Sequence, residues 1–290
     1  MTATHEWPAV HPPLLSCDGL RMQGIGLGSI IRRKGNGDHE CVTDEVAIEE
    51  PLEIRIGGAA VATTMRTPGH DEELAAGFLL SEGIIRTRED FRAISAFAEN
   101  IVNVELAPTV KFTPGASQRF GTITSSCGLC GKTSIEAIRQ SFPAIDFVTD
   151  KTRITETILL DLPGKLRLAQ GNFARTGGIH AAGIFDTQGK AIVVREDIGR
   201  HNAVDKAIGR ALLDGMLPLD AVVLIVSGRS SLEIVQKALA ARIPIVAAVS
   251  APSSLAVNFA RECGQTLVGF LRPPTFNVYS HIERIVFSES

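Results

Sequence analysis

The sequence has little aromatic character: of its 290 residues one is Trp and one is Tyr, and all aromatic residues together make up 5%. Stacking of nucleic-acid bases on aromatic side chains is therefore not expected to be a main activity. Basic charge is not in excess either, since 29 Lys and Arg stand against 32 Asp and Glu. The formal net charge of −3 argues against general binding to nucleic acid or to membrane surfaces.

Long hydrophobic runs are also missing, and no stretch has the roughly 18 consecutive apolar residues of a membrane-spanning helix. The first residues lack the basic start and apolar core of a signal peptide, and their prolines and weak periodicity predict a flexible leader over residues 1–20. Cysteines number only 5, an odd and sparse set that does not make a disulfide framework. Together these absences favour a cytoplasmic protein.

The rest of the chain changes character near its middle. We predict a smaller N-terminal α+β domain over residues 21–126, a cysteine-containing loop and helix over 127–145, and an α/β domain over 146–290. In the first domain, alternating and apolar runs predict strands, and a helix is stopped by Gly83. The predicted strands are 45–48, 52–56, 61–66 and 101–106, the helix is 71–82, and 112–126 is predicted as a loop.

The second half alternates helices and strands more regularly. Its unbroken apolar strands are typical of a sheet that is covered by helices on both faces. We expect Pro163 and Gly164 to interrupt the first helix. The predicted order is α-β-β-α-β-α-β-α-β, with elements at 155–170, 181–185, 191–195, 203–213, 221–226, 232–242, 244–249, 253–263 and 266–270.

The pair Cys127 and Cys130 is the sharpest chemical feature of the sequence. Both cysteines directly precede a predicted helix, and a helix N-terminus lowers the pKa of a nearby thiol. Gly128 and Gly131 leave the sulfurs uncrowded, and Lys132 is a candidate electrostatic helper. The pattern predicts an accessible, nucleophilic sulfur.

A cysteine pair also serves in zinc sites and in thiol-disulfide exchange. A structural zinc ion takes four ligands, usually from a second cysteine pair or a histidine pair, and the sequence has neither at suitable spacing. We therefore expect no zinc or other metal site. A thioredoxin-type role stays open, although no Trp precedes the motif and the strand context is absent. A P-loop is excluded, because Gly131-Lys132-Thr133 lacks the earlier glycine and has Ser126 in its place.

Three successive helix starts, near residues 200, 230 and 253, carry small hydroxylated or basic residues. In an open α/β sheet such loops gather at the carboxyl edge of the strands, where backbone N–H groups and arginines suit phosphates or other anions. Helix capping alone would explain the serines but not the basic residues. His180, in a glycine-rich turn, is either a core histidine or a further wall of the same site. The predicted anion-binding residues are Arg200, His201, Ser227, Arg229 and Ser231, and Asp205 and Lys206 are placed in the first turn of their helix.

Several motifs, in their order along the chain, resemble the FdhD family of formate dehydrogenase accessory sulfurtransferases. The resemblance implies a three-layer, cytidine-deaminase-like fold for the C-terminal domain, and the helix and strand order above matches it. A zinc deaminase is excluded, because the helix starts lack the Glu and Cys residues that its chemistry needs. The motifs are Ser126-Cys127-Gly128-Leu129-Cys130-Gly131, Gly177-Gly178-Ile179-His180, the segment 195–206, and Ser227-Gly228-Arg229-Ser230-Ser231.

The resemblance also implies a function. Members of this family are sulfur carriers that take persulfide sulfur from a cysteine desulfurase and pass it to the molybdenum cofactor, Mo-bis-molybdopterin guanine dinucleotide, before its insertion into formate dehydrogenase. By this resemblance Cys127 carries the persulfide, while Cys130 receives the sulfur or releases it by forming a disulfide. The molybdenum cofactor is then a bound substrate, and a homodimer is expected.

A cofactor-binding stretch near the C-terminus of the family corresponds to six residues of this chain. After the arginine, family members often have glycine and a second basic residue, where this chain has prolines. We expect this stretch to bind the cofactor together with His180 and the anion-binding residues. Two alternatives remain open: a thiol-disulfide oxidoreductase and a non-catalytic, cofactor-binding chaperone. The six residues are Phe270, Leu271, Arg272, Pro273, Pro274 and Thr275.

Overall fold

The structure, a computed structural model, describes residues 24–112, 122–123, 142–146 and 149–288. Over these residues the chain has the mixed α/β structure that the sequence predicts. No helix in the described ranges is both long and apolar enough to cross a membrane. The N-terminal elements are β1 (Ile25–Arg33), β2 (His39–Ala47), β3 (Glu50–Ile56), β4 (Ala59–Arg66), α1 (Asp71–Ser81), β5 (Phe91–Ala98), β6 (Ile101–Leu106) and β7 (Thr122–Ile123).

Five of these strands form one sheet in the order β5-β6-β3-β4-β7, while β1 and β2 pair separately. β3 and β4 make the antiparallel hairpin that the sequence predicts. Gly57 and Gly58 turn it with positive φ, a conformation that glycine adopts without a steric penalty. β7 pairs in parallel with β4 inside the stretch predicted as a loop, so that prediction is wrong for residues 122–123.

The second part of the chain follows the predicted order of helices and strands. A short helix is added after the first one, and two strands follow the last predicted one. The elements are β8 (Ile154–Thr155), α2 (Glu156–Leu168), α3 (Gly171–Thr176), β9 (His180–Asp186), β10 (Ala191–Asp197), α4 (Arg200–Leu213), β11 (Val222–Val226), α5 (Leu232–Ala240), β12 (Ile245–Ala248), α6 (Ser254–Glu262), β13 (Thr266–Arg272), β14 (Thr275–Ser280) and β15 (Ile285–Val286).

Six of these eight strands build one sheet in the order β10-β9-β11-β12-β13-β14, and β8 and β15 pair separately. β11, β12 and β13 are parallel to one another, whereas β9, β10 and β14 pair antiparallel with their neighbours. Along β11, Leu224 packs into the core beneath α4, α5 and α6, and the adjacent Val223 and Ile225 pack into the core beneath α2. The sheet is therefore covered on both faces, as its apolar strands predict.

Helix α2 runs unbroken through Pro163, so the predicted interruption is wrong. Proline inside a helix removes one backbone hydrogen bond and costs roughly 3 kcal/mol. Leu159, Leu162 and Leu166 are fully buried against the sheet on either side of the proline. Burial of each such side chain contributes about 1.5–3 kcal/mol, which is enough to hold the helix together across the defect.

Helices α1 and α4 join the two parts of the chain by a very close crossing. A Cβ added at Gly77 would collide with the backbone carbonyl of Asp205, and one added at Gly209 would collide with that of Glu73. Glycine at both positions therefore lets the two helix backbones touch. One continuous apolar core contains residues of both predicted domains, among them Leu74 in α1 and residues along α4.

Candidate functional site

The strand directions bring the predicted binding residues to one edge of the six-stranded sheet. β9 begins there, because its antiparallel pairing sets Ala182 opposite Val226 at the end of β11. β10 ends there, because Asp197 pairs with His180. The ends of β12 and β13 complete the edge, since both run parallel to β11. The predicted gathering of the three helix-start loops at one edge is borne out by this topology.

His201 lies in the first turn of α4 and connects to the next helix start. Its Nε2 lies 2.8 Å from Glu233 Oε2 and 3.0 Å from Ser231 Oγ. Both partners are at the beginning of α5, Ser231 as its N-cap residue and Glu233 in its first turn. The two polar loops are therefore fixed to each other through this imidazole.

The serines at the helix starts have different roles. Ser253 caps α6 by accepting a hydrogen bond from the N–H of Ala256 at 3.2 Å, as helix capping predicts. Ser231 makes no such cap and contacts His201 instead. The hydroxyl of Ser227 accepts the N–H of Ala181 at 2.9 Å, which ties the end of β11 to the start of β9. Only a structure separates these cases, because the three sequences around the serines look alike.

Basic groups concentrate around His180. Gly228 passes close over this ring, and a Cβ there would lie 3.3 Å from His180 Nδ1 and 3.7 Å from the Cβ of Arg200. Burial lowers the pKa of His180, and the charges of Arg200, His201 and Arg229 lower it further, against the opposing charge of Asp197. His180 is thus a partly buried ring among basic groups at this sheet edge, and its role as a wall of a binding site stays a prediction.

The two arginines of the site differ in their surroundings. Arg229 is exposed at the surface. The Nε atom of Arg200 is buried, and no group in the described ranges accepts a hydrogen bond from it. A buried, unpaired donor costs about 1–3 kcal/mol. This atom is therefore a ready donor for an acceptor that arrives at the sheet edge.

A second polar network lies just behind the site, and sequence patterns alone assigned no function to it. Lys206 Nζ lies 2.7 Å from the Asp197 carboxylate and donates to the carbonyl of Thr67 at 2.8 Å. The amide of Asn202 donates to Asp197 and to the carbonyl of Met65. Because α4 begins at Arg200, Asp205 and Lys206 lie in its second turn, so the prediction that they lie in the first turn is wrong. This network joins the site to the N-terminal sheet.

The predicted cofactor stretch reaches the same edge through the end of β13. The N–H of Phe270 donates to the carbonyl of Ser250 at 3.1 Å, and Arg272 Nε donates to the carbonyl of Val249 at 2.9 Å. The side chains of Phe270 and Arg272 are exposed, whereas that of Leu271 is fully buried in the core, so Leu271 presents only its backbone. Pro273 and Pro274 are exposed in the turn to β14, and Thr275 is the exposed first residue of that strand.

Cys127, Cys130 and Lys132 lie outside the described residues. Of the other cysteines within the described residues, Cys263 is buried in the core and Cys41 is exposed. Among the residues that the structure describes, no group of three or more His, Cys, Asp and Glu could hold a metal ion.

Comparison with known proteins gives a consistent assignment. A profile of the FdhD/NarQ family matches residues 47–286. "Sulfur carrier protein FdhD" of Streptomyces coelicolor is 51% identical over 253 residues, which is 83% of this chain and 89% of that protein. The protein of the same name from Sulfurisphaera tokodaii is 43% identical over 257 residues, 87% of this chain and 96% of that protein.

A solved structure also matches. It is the crystal structure of a candidate formate dehydrogenase accessory protein from Desulfotalea psychrophila, with a TM-score of 0.72 and 25% sequence identity. The match covers 90% of this chain and 98% of that one. Motifs, family profile, relatives and fold agree, and the chain belongs to the FdhD/NarQ family.

Proposed function

We propose that the chain is a sulfur carrier in the maturation of formate dehydrogenase. It receives persulfide sulfur from a cysteine desulfurase on Cys127 and passes it to Mo-bis-molybdopterin guanine dinucleotide, which it binds as a substrate. The names of the relatives, which are sulfur carrier proteins, and the cysteine pair support the first half of this proposal. The cationic sheet edge supports the second half.

The cluster of cationic groups at the sheet edge is the observation that carries the binding step. Arg200, His201 and Arg229 lie close enough to His180 to lower its pKa, and the Arg200 Nε donor is buried without a partner in the described ranges. Charge-assisted hydrogen bonds to phosphate oxygens would satisfy such groups. The diphosphates of a guanine dinucleotide have this chemistry, and the exposed ring of Phe270 beside Ser250 offers a surface for a planar base.

The transfer itself is thiol chemistry on the cysteine loop. The Cys127 thiolate attacks the outer sulfur of the donor's persulfide, and the donor leaves as its own thiolate. Release of the outer sulfur as hydrosulfide breaks its bond to Cys127 and takes two electrons, which the second thiol supplies when a Cys127–Cys130 disulfide forms; the bound cofactor takes up this hydrosulfide. Cys130 takes part either by accepting that sulfur or by attacking the inner sulfur of Cys127, which forms a disulfide and releases hydrosulfide.

Intact-mass measurement after incubation with a cysteine desulfurase and cysteine tests the proposal. We expect the wild-type chain to gain one sulfur that maps to Cys127. Cys127→Ala abolishes this gain, and Cys130→Ala retains a reduced gain. Cys263→Ala, which removes a buried cysteine of the core, is the matched control and loads normally. A near-normal gain of sulfur by Cys127→Ala would contradict the assignment of Cys127 as the sulfur carrier.

The two alternatives give different results. A thiol-disulfide oxidoreductase would show an internal disulfide between Cys127 and Cys130 and no added sulfur. A non-catalytic chaperone would support formate dehydrogenase activity fully after Cys127→Ala, which the proposal does not allow. The homodimer and the cytoplasmic location expected from the sequence stay predictions.

A further inference from the structure

Glu233 places a negative charge directly beside the cationic sheet edge. Its Oε2 lies 2.8 Å from His201 Nε2, and the side chains of Glu233 and His201 are only 12% and 11% exposed. Neither the sequence motifs nor the proposed cofactor contacts assign a role to this carboxylate. Charge alone makes it unfavourable for an anion site, so its presence needs an explanation.

We propose that Glu233 is a positioning residue: it engages Nε2 of His201, so that Nδ1 of the same ring is the nitrogen that serves the anionic ligand. This inference rests on the proposed function, which makes the sheet edge an anion site. Ser231 Oγ, 3.0 Å from the same Nε2, supports the same orientation. Within the described residues, both contacts found for the His201 ring are made by Nε2, so Nδ1 is the nitrogen left for a ligand.

The chemistry of imidazole gives this orientation a purpose. In a neutral histidine one ring nitrogen donates and the other accepts, and the hydrogen bond made by one nitrogen decides the role of the other. A carboxylate at Nε2 fixes the proton there. When the ring takes up a second proton, Nδ1 becomes a donor to a phosphate oxygen, and the carboxylate balances the added charge. Glu233 therefore acts on the ligand through His201.

The surroundings keep the Glu233 carboxyl ionised. Burial alone would raise its pKa, but the hydrogen bond and charge of His201, together with the charges of Lys237 and Arg200, hold the pKa below its ordinary value. Arg229 adds positive charge near His180, whose own pKa is lowered, and Asp197 adds negative charge from the end of β10. Glu233 is thus an ionised group inside a cluster of cations.

Substitution of Glu233 by glutamine separates two explanations by the sign of the effect. If the carboxylate acts on the ligand only through space, its neutralisation tightens anion binding. If it acts through His201, its neutralisation weakens anion binding at about pH 8, where imidazoles are ordinarily neutral. The same substitution has less effect at about pH 5.5, where imidazoles are ordinarily protonated.

The experiment is calorimetric titration with GDP, a stand-in for one nucleotide arm of the cofactor, at about pH 8 and about pH 5.5. Glu233→Gln is expected to weaken binding about tenfold at the higher pH and about twofold or less at the lower one. Glu233→Asp keeps the charge and recovers part of the affinity. Glu72→Gln is the matched control, because Glu72 holds the same second position of helix α1 and is exposed.

A double-mutant cycle tests whether the effect passes through His201. In a His201→Ala background, Glu233→Gln is expected to leave GDP affinity unchanged or to tighten it. Equal or tighter binding of the single Glu233→Gln variant at about pH 8, or the same loss in both backgrounds, overturns the inference.

Nitrogen NMR of the His201 ring in the ligand-free protein provides a readout that does not need GDP. We expect the proton on Nε2 in the wild type and a mixture of the two tautomers in Glu233→Gln. Identical ring signals in both proteins overturn the inference. Failure of the wild type to bind GDP while the ring signals differ as expected would instead overturn the proposed cofactor site.

Discussion

The polar side chains in the first two turns of helix α4 differ in whether their hydrogen-bonding groups have partners. In the first turn, the buried Nε of Arg200 has no partner in the described part of the chain, and His201 uses Nε2 for the neighbouring helix. In the second turn, Lys206 is paired at 2.7 Å with Asp197 and hydrogen-bonded to a backbone carbonyl. A single stretch of sequence thus contains both spare and fully used polar groups.

The neighbouring Asp205 strengthens the contrast. Both oxygens of its carboxylate accept from Lys237, at 2.8 and 2.7 Å, and Ser81 of helix α1 donates to it at 2.9 Å. Buried polar groups with all partners in place fix a structure, whereas a buried group without a partner invites a ligand. The first turn of α4 is therefore available for binding, and the second turn holds the two parts of the chain together.

The largest expected effect comes from the second turn. Lys206→Met keeps the length and apolar character of the side chain but leaves Asp197 buried without its cation, and breaking such a buried pair costs about 3–5 kcal/mol. We expect a clear fall in the free energy of unfolding, measured by urea denaturation followed by circular dichroism. Lys190→Met, at an exposed turn, is the control and changes stability by less than about 0.5 kcal/mol. Unchanged stability of Lys206→Met with weakened GDP binding would place Lys206 among the binding groups instead.

The first turn and its neighbouring loop give the next largest effect, on binding rather than on stability. Arg229→Ala and Arg200→Ala each remove a charge-assisted contact to phosphate, and we expect GDP affinity to fall about 10- to 100-fold. Sulfur loading on Cys127 survives in both variants. Arg92→Ala, at an exposed position of β5, is the control for a lost positive charge. If Arg229→Ala binds GDP normally, Arg229 is a surface charge at a helix start.

The smallest effect is a pH dependence that arises from His180. Burial and the nearby cations lower its pKa in the free protein. A bound phosphate opposes those cations and raises the pKa, so binding takes up a proton at pH values between the two. GDP affinity therefore rises as the pH falls through this window, by about threefold, and levels off below the free-protein pKa. Calorimetry in two buffers of different ionisation enthalpy measures the proton uptake.

His180→Asn removes the titrating ring and is expected to lower the measured proton uptake. Proton uptake that is equal in the wild type and in His180→Asn would show that His180 does not respond to the ligand. In that case His180 belongs with the fully used groups of the core, and the contrast between the two sets of residues must be redrawn.

Much of the second part of the fold follows from its sequence because its strands are apolar throughout. Burial on both faces leaves a continuous run of Val, Ile and Leu, as in β11, which periodicity reveals directly. β5 was missed because most of its residues are exposed and do not alternate. β14 was also not predicted, because it is an edge strand of the sheet and has a neighbouring strand on one side only. The unbroken course of α2 through Pro163 depends on leucine packing that no local pattern records.

The site was predictable to the level of its loops but not of its pairs. The order of strands and helices was enough to predict that Arg200, His201 and Arg229 lie at one edge of the sheet. Glu233 was missed because a glutamate in the first turn of a helix is ordinary in a sequence, and its contact with His201 joins positions 32 apart. The division between spare and used groups on α4 depends equally on such distant contacts.

Gly77 and Gly209 let the backbones of α1 and α4 come into contact. If the chain were divided near its middle, each part would expose its side of this helix interface. Helix α4, which begins with Arg200 and His201, packs in one core with residues of the N-terminal part of the chain. Residues more than a hundred positions apart must meet before either half is complete, so folding is expected to be a single cooperative event. A change in helix α1 can therefore disturb the sheet edge at Arg200 and His201 without contacting it.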